Sequence, residues 1–486
     1  MAFSCKEAIN LEYMLAYLDA AVVALALIGT LWIGWRAGRG VTTMQAYALA
    51  NREFGAAALT LTFLATNLGG VNVFGVSSEV FQHGILLLFS IFGVPISLLI
   101  KGFLLAPKMA RFRDCVSIGD VMGRLCGVHA KWVTGVLASC YSLCMIAMSL
   151  LSFKSVFMLL DVHQAYLGMA MWGSGLLLAA YTAWGGMRSV TTTDLWQFAV
   201  VTVMVPLIAR MAVHRVGGIQ ALYAQTPPGH LALWTHPNFS HGLTLFLIWS
   251  IFPVGITSPP IFQRMLMARS GADIKKQALA AACFDPAFHT AVACIGLAGL
   301  ILYPAISPDR LIYHCVHELV PYHLRGLAVV SMMALVMSSA DSYLHALGVV
   351  VARDVVTPVA QRWAATRLDE LAVARAATVL LALWALGIAS YAQDMLQLSF
   401  AAVQFTGPLL MFPLIAGIVG LKPARSAFYA ASAVTVATYV VAYWLLPASY
   451  KHLVTLISIL ANITAFLAVH LYVYGRWAWV GPSEGA

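Results

Sequence analysis

The stretch Leu64-Ala65-Thr66-Asn67-Leu68-Gly69-Gly70-Val71-Asn72 lies inside an apolar run covering residues 55–80. A run of that length suits a membrane-crossing helix, which takes about 20 predominantly apolar residues. A Gly pair flanked by two Asn is nevertheless a poor helix centre, because each glycine costs about 1 kcal/mol relative to alanine there. The two facts fit together as a membrane helix broken at mid-depth. A break frees backbone carbonyls and amides, and in lipid these must be satisfied by protein, water or ligand. A second run, 241–263, contains Phe252-Pro253-Val254-Gly255-Ile256-Thr257-Ser258-Pro259-Pro260. Three Pro and a Gly cannot carry a regular helix, since Pro removes a backbone donor and clashes with the preceding turn.

The rest of the chain agrees with a membrane setting. Of its 486 residues 61% are hydrophobic and 10% charged, and mean hydropathy is +0.85. That composition excludes both disorder and an ordinary soluble core. The apolar runs are unbroken rather than alternating, which excludes a β-barrel. The expectation is an all-α integral membrane protein with about thirteen spans, near 16–36, 55–80, 84–107, 132–160, 166–185, 193–213, 241–263, 277–303, 326–352, 373–392, 397–420, 427–446 and 452–474. Residues 1–486 form one polytopic unit with no separate soluble domain. The net charge of +9 reads as Lys and Arg gathered in inner loops, not as a nucleic-acid surface. With the N-terminus outside, the inner side collects twenty Lys and Arg against six outside, so the N-out, C-in arrangement is expected. In that assignment Arg264 is an inner-loop charge, and Lys101 and Lys154 fall within spans. The eight cysteines lack CxxC spacing and read as small buried hydrophobes.

The two broken spans stand five apart. Because five is odd, the second block of five has the opposite topology to the first. Interrupted helices in matching places of two inverted halves point to a secondary transporter with its site at the midplane. The alternative is a pair of kinked helices closed by their neighbours and by water.

Span nine reads Leu335-Val336-Met337-Ser338-Ser339-Ala340-Asp341-Ser342-Tyr343-Leu344-His345. Helical spacing puts Leu335, Ser338, Ser339 and Ser342 on one face, with Asp341 beside them. Hydroxyl and carboxylate oxygens are hard ligands that suit an alkali cation. One serine in a span commonly bonds its own helix, but three with an aspartate are harder to dismiss. An ionisable group at the helix centre costs about 2.5–3.5 kcal/mol on insertion scales, which argues for a partner or a role. Asp194, in Thr191-Thr192-Thr193-Asp194, reads equally as a helix N-cap or as part of a cation path. No Walker A motif, metalloprotease helix or serine-hydrolase elbow occurs, so ATP-driven pumping and enzyme activity are not expected.

These motifs resemble the sodium/solute symporter family. The likeness rests on the Ala65–Gly75 break, on Tyr181-Thr182-Ala183-Trp184-Gly185-Gly186-Met187-Arg188 leading to Thr193-Asp194 and Gln197, and on Ser338-Ser339-Ala340-Asp341-Ser342 followed by Ala352-Arg353-Asp354. The resemblance covers almost the whole chain. It implies a leucine-transporter-like fold: an extra helix at 16–36, inverted repeats at 55–213 and 241–420, and two extra helices over 427–474. It implies a main sodium site at the carbonyls of Ala65, Leu68 and Leu335 and the hydroxyls of Ser338 and Ser339. Asp194, Asp341 and Ser342 match positions of a second cation or of the release path. The choline branch looks nearest at Gly69-Gly70, around Glu79 and at Phe262-Gln263-Arg264. A quaternary ammonium needs aromatic faces, however, and Asn67 and Ser258 stand where that branch has Trp. Asn67, Gly69, Gly70, Asn72, Thr257 and Ser258 instead suggest a pocket that hydrogen-bonds its solute, with Trp249, Phe252 and Phe405 as apolar walls.

The expected activity is Na+-coupled symport of a small organic solute across a plasma membrane or bacterial inner membrane, by alternating access. The expected partners are that solute and the lipid bilayer, with no nucleic acid and no obligate protein partner evident. Proton coupling through Asp341, His345 or Asp194, and a solute sensor without transport, are the alternatives.

Overall fold

The computed structural model describes residues 5–251, 254–363, 369–392, 395–447 and 450–479. The principal helices are α1 (Cys5–Ala37), α2 (Ala56–Asn67), α3 (Val71–His83), α4 (Leu86–Phe112), α5 (Val128–Met158), α6 (Gln164–Val216), α7 (Phe239–Ile251), α8 (Pro259–Leu266), α9 (Gly271–Leu302), α10 (Tyr322–Gln361), α11 (Glu370–Tyr391), α12 (Met395–Val419), α13 (Arg425–Leu445) and α14 (Leu453–Tyr474). Among the described residues nine helices are long and apolar enough to cross a bilayer, or ten if α2 and α3 count as one bent span. The all-α expectation holds. The count of thirteen spans does not follow from length and apolarity alone, because the proline- and glycine-broken segments fall short of it.

Helix α10 is the centre of the molecule. Of its apolar window 94% is buried, against 17% for α1, 22% for α13 and 33% for α14. It packs against α1, α5, α6 and α11. Every residue from Ala328 to Val350 is buried. Lipid accepts an apolar surface as readily as the protein interior does, so the polar side chains of Ser338, Ser339, Asp341, Ser342 and His345 are what place this segment inside. The peripheral helices show large apolar side chains outward, among them Trp444 and Tyr472. On a membrane protein such side chains face lipid and need no partner. Helices α13 and α14 pack on one another, and α14 also on α12.

Local chemistry sets the breaks. Helix α2 stops at Leu68, whose φ and ψ of −96° and 74° leave the helical region. The chain resumes through Gly69 and Gly70 and bends by 57° into α3. Glycine is required at the bend by crowding: a Cβ on Gly69 would overlap the Ser339 hydroxyl, and one on Gly70 would lie 3.0 Å from Ser152. The Asn72 amide closes part of the gap, donating to the Asn67 carbonyl at 3.0 Å. The second break falls between α7 and α8, where Pro259 and Pro260 occupy the first turn of α8. Pro is tolerated there because those amides lack an intrahelical partner anyway.

One boundary differs from expectation. The spans placed at 166–185 and 193–213 share the 53-residue helix α6, with Gly186 alone leaving helical geometry at φ 57° and ψ −148°. Only glycine adopts that conformation readily, and Tyr47 packs where a side chain would sit. A single residue does what a connecting loop would otherwise do.

Candidate functional site

Helix α10 lays its serine face on the broken end of α2. Ser338 Oγ donates to the Ala65 carbonyl at 2.9 Å and lies 3.2 Å from the Leu335 carbonyl. Ser339 Oγ donates to the Thr66 carbonyl at 3.2 Å. Both serines are only 2% exposed, and Leu68 is fully buried. The oxygens of Ala65, Leu335 and Ser338, expected to share an ion, thus meet in a buried site between two helices. All are hard donors, and the chemistry of the set fits an alkali cation.

The Asp194 region holds a residue that the sequence did not assign to it. Arg264, expected in an inner loop, is fully buried. Its Nη2 lies 3.2 Å from Asp194 Oδ2 and donates to Ser342 Oγ at 2.7 Å and Thr62 Oγ1 at 3.0 Å. Its Nη1 donates to the Pro260 carbonyl at 3.1 Å. Thr62 Oγ1 also donates to Asp194 Oδ2, and Thr66 Oγ1 is 2.8 Å from Ser342 Oγ. The guanidinium therefore ties α2, α6, α8 and α10 together. Arg264 lies on the short helix that begins at Pro259 and whose every residue is buried. The Pro259-Pro260 pair, which restarts a helix ahead of Arg264, was the available sign that the span had not yet ended. Asp341 accepts from Tyr181 OH at 2.6 Å. The second oxygens of Asp194 and Asp341 have no hydrogen-bond partner among the described residues. His345 is 2.9 Å from the Tyr47 carbonyl, which is a packing role.

Between the two breaks lie two adjoining cavities. One of about 200 Å³ is bordered by Asn67, Gly69, Asn72, Trp249, Asp285 and His289. The other, about 170 Å³, is bordered by Asn67, Lys101, Tyr141, Trp249, Ser258 and Tyr343. Asn67, Trp249 and Tyr343 border both. Among the residues expected to bind solute, Asn67, Gly69, Asn72, Trp249 and Ser258 thus line one space. Gly70 instead packs against Ser152 and Val336, and Thr257 is buried beside the cavity without lining it. Phe252 and the Phe405 side chain lie outside the described residues. Reading the sequence missed Tyr343, Lys101, Asp285 and His289 as wall residues. His289 Nε2 is 3.0 Å from Asn72 Oδ1, and His289 Nδ1 is 3.2 Å from Asp285 Oδ2. The Asp285-Pro286 pair and the four-residue spacing to His289 were the signal for that cluster.

The same arrangement of helices occurs in proteins of known structure. A Na+-coupled sialic acid symporter, in a substrate-bound outward-open state, superimposes with a TM-score of 0.77 at 16% identity, covering 92% of this chain and 98% of the other. A nucleobase-cation-symport-1 family transporter, closed around bromovinylhydantoin, gives 0.56 at 13% identity over 90% of this chain and 96% of its own. The fold and the broken helices define an integral membrane protein of the leucine-transporter-like class. The chain belongs to the sodium:solute symporter family, which it matches over residues 47–431. Relatives include the sodium/proline symporters of Staphylococcus aureus strains JH9 and COL, each 23% identical over 350 residues. Those matches take in 68% of this chain and 65% of the relatives' length, just under two thirds. The family is one of transporters, not enzymes.

Proposed function

We propose that this protein couples inward movement of sodium to uptake of a small organic solute. The observation that carries the proposal is the Ser338 hydroxyl, 2.9 Å from the Ala65 carbonyl and 3.2 Å from that of Leu335. A sodium ion taking those oxygens, with Leu68 and Ser339, would brace α2 against α10 in the outward-facing state. The solute would occupy the space around Asn67 and Trp249, and loss of sodium to the inside would release the brace. The membrane potential adds about 2.3 kcal/mol per charge per 100 mV. Membership of the family and the sodium/proline relatives support this reading and make L-proline the first solute to try. Asp194, Asp341 and Ser342 are assigned to the inner release path, with Arg264 as the fixed cation among them. Inverted repeats at 55–213 and 241–420, an N-out, C-in orientation and a plasma or bacterial inner membrane belong to the same reading.

The test is the melting temperature of purified protein in sodium against potassium at equal ionic strength, followed by uptake into vesicles. A ligand that binds only the folded state raises stability by mass action. A sodium-specific rise that vanishes in a Ser338→Ala, Ser339→Ala double variant is expected. Retention of the rise in that variant overturns the site. Proton coupling is the second reading, favoured by the unpartnered buried oxygens of Asp194 and Asp341. It requires pH-driven uptake in the absence of sodium.

A further inference from the structure

Two charged residues border the paired cavities, and they are not equivalent. Asp285 has an imidazole beside it, with His289 Nδ1 3.2 Å from its Oδ2 and 3.0 Å from its backbone carbonyl, although neither carboxylate oxygen accepts a hydrogen bond among the described residues. Lys101 makes no ion pair with an acidic side chain among the described residues. It is 2% exposed, and its Nζ makes no hydrogen bond among the described residues. Its one polar attraction there is to the face of the Phe63 ring, whose centre lies 3.9 Å away. An ammonium group carries three donors, and burying it is costly unless the cavity that it borders supplies their partner. The residue nonetheless stands inside an apolar span with its side chain turned inward, where reaching out to the bilayer surface is not open to it. A buried cation of this kind calls for an anion. The wall around it supplies the remaining features of an organic-anion site. Tyr343 OH, which accepts from the Ser258 hydroxyl at 3.3 Å, and the Asn67 amide offer further donors, while Met145 and Trp249 are apolar.

We propose that the solute is an organic carboxylate and that Lys101 is its counter-charge. The carboxylate would lie at the Lys101 end. The body of the solute would extend past Asn67 and Trp249 toward Asn72 and the Asp285–His289 pair. Lys101 offsets the carboxylate's charge only while the solute is bound. The side chain stays with the protein, so the net charge moved per cycle is the sum of the charges on the coupling ions and the solute. This inference rests on the proposal that the paired cavities hold the solute.

The test uses the full-length protein in detergent, in sodium sulfate, with melting temperature as the readout. The probes are L-proline, L-phenylalanine, N-acetylneuraminate, pyruvate and lactate, each beside its amide or ester, and chloride alone. At least one carboxylate is expected to raise the melting temperature while its amide or ester does not. Lys101→Gln should weaken that carboxylate on the order of tenfold or more, the scale of one lost charged hydrogen bond, and Lys101→Arg should restore part of it. The sodium-dependent rise should persist in Lys101→Gln, which separates this proposal from the sodium site. The proposal is overturned by equal binding of acid and amide, by unchanged carboxylate affinity in Lys101→Gln, by a Lys101-dependent response to chloride only, or by no response to any carboxylate. The comparison of acid with amide on the wild-type chain stands even where a Lys101 variant fails to fold.

Discussion

Ser338 Oγ and the Ala65 carbonyl, 273 residues apart in sequence, are 2.9 Å apart in space. One hydroxyl thus closes a carbonyl near the end of α2 that the broken helix leaves free to bond outside itself. Removing it should cost little fold stability, about 0.5–1.5 kcal/mol for a typical hydrogen bond. Ser338→Ala alone should therefore melt in potassium within a few degrees of wild type, yet lose most of its response to sodium. A collapse of the fold in potassium would assign Ser338 a structural role instead.

Gly69 should tolerate no side chain while Ser339 is present. A Cβ there would overlap the Ser339 hydroxyl and lie 3.1 Å from its Cβ, so Gly69→Ala is expected to destabilise by about 1–3 kcal/mol, as overpacking does. Combining it with Ser339→Ala removes the worse overlap. The double variant should be more stable than the sum of the single effects, as directly contacting residues allow. Strict additivity in melting experiments would argue that the two do not touch.

The Arg264–Asp194 pair is fully buried on both sides. Removing one partner leaves an uncompensated charge and typically costs about 3–5 kcal/mol. Arg264→Met and Asp194→Asn should each be strongly destabilising, and the double variant far less so than their sum. A denaturation-based double-mutant cycle reads the coupling directly, and a coupling near zero would count against the pair.

Glycine positions on α6 should separate into two kinds. Gly186→Ala forces a side chain into a backbone region that costs of order 1–3 kcal/mol and into the space of Tyr47. Gly168 and Gly173 have open space around the Cβ direction, and alanine there should be neutral or stabilising by up to about 1 kcal/mol. Thermal melting of the three variants checks the contrast.

Some of this was legible in the chain and some was not. The Gly69-Gly70 break and the Ser338-Ser339 face could be read because each is a local departure from apolar helix, visible within one turn. Their meeting could be anticipated only through family resemblance. Arg264 was misplaced because a Lys or Arg near the end of an apolar run ordinarily sits in a loop, and only the proline-started helix around it carries it inward. Lys101 was seen as a charge within a span, but its role depends on Phe63 and Ser258, which lie far from it in sequence. Tyr343 was not singled out on α10, since the residues that make it a cavity wall come from α2, α4, α5 and the segment around Ser258. Gly186 was passed over as part of a loop, because Arg188, Ser189, Thr191 and Thr192, which follow it, look like a polar connection although they continue in helix.

Ser339 and Gly69 border the larger cavity as well as the α2–α10 contact. Whatever one ligand does to that shared edge, the other must feel to the same degree, because binding free energies around a closed cycle are path-independent. The factor by which sodium tightens the solute must therefore equal the factor by which the solute tightens sodium. A single pair of titrations, run in either order, measures how strongly the two sites are linked without any assay of transport.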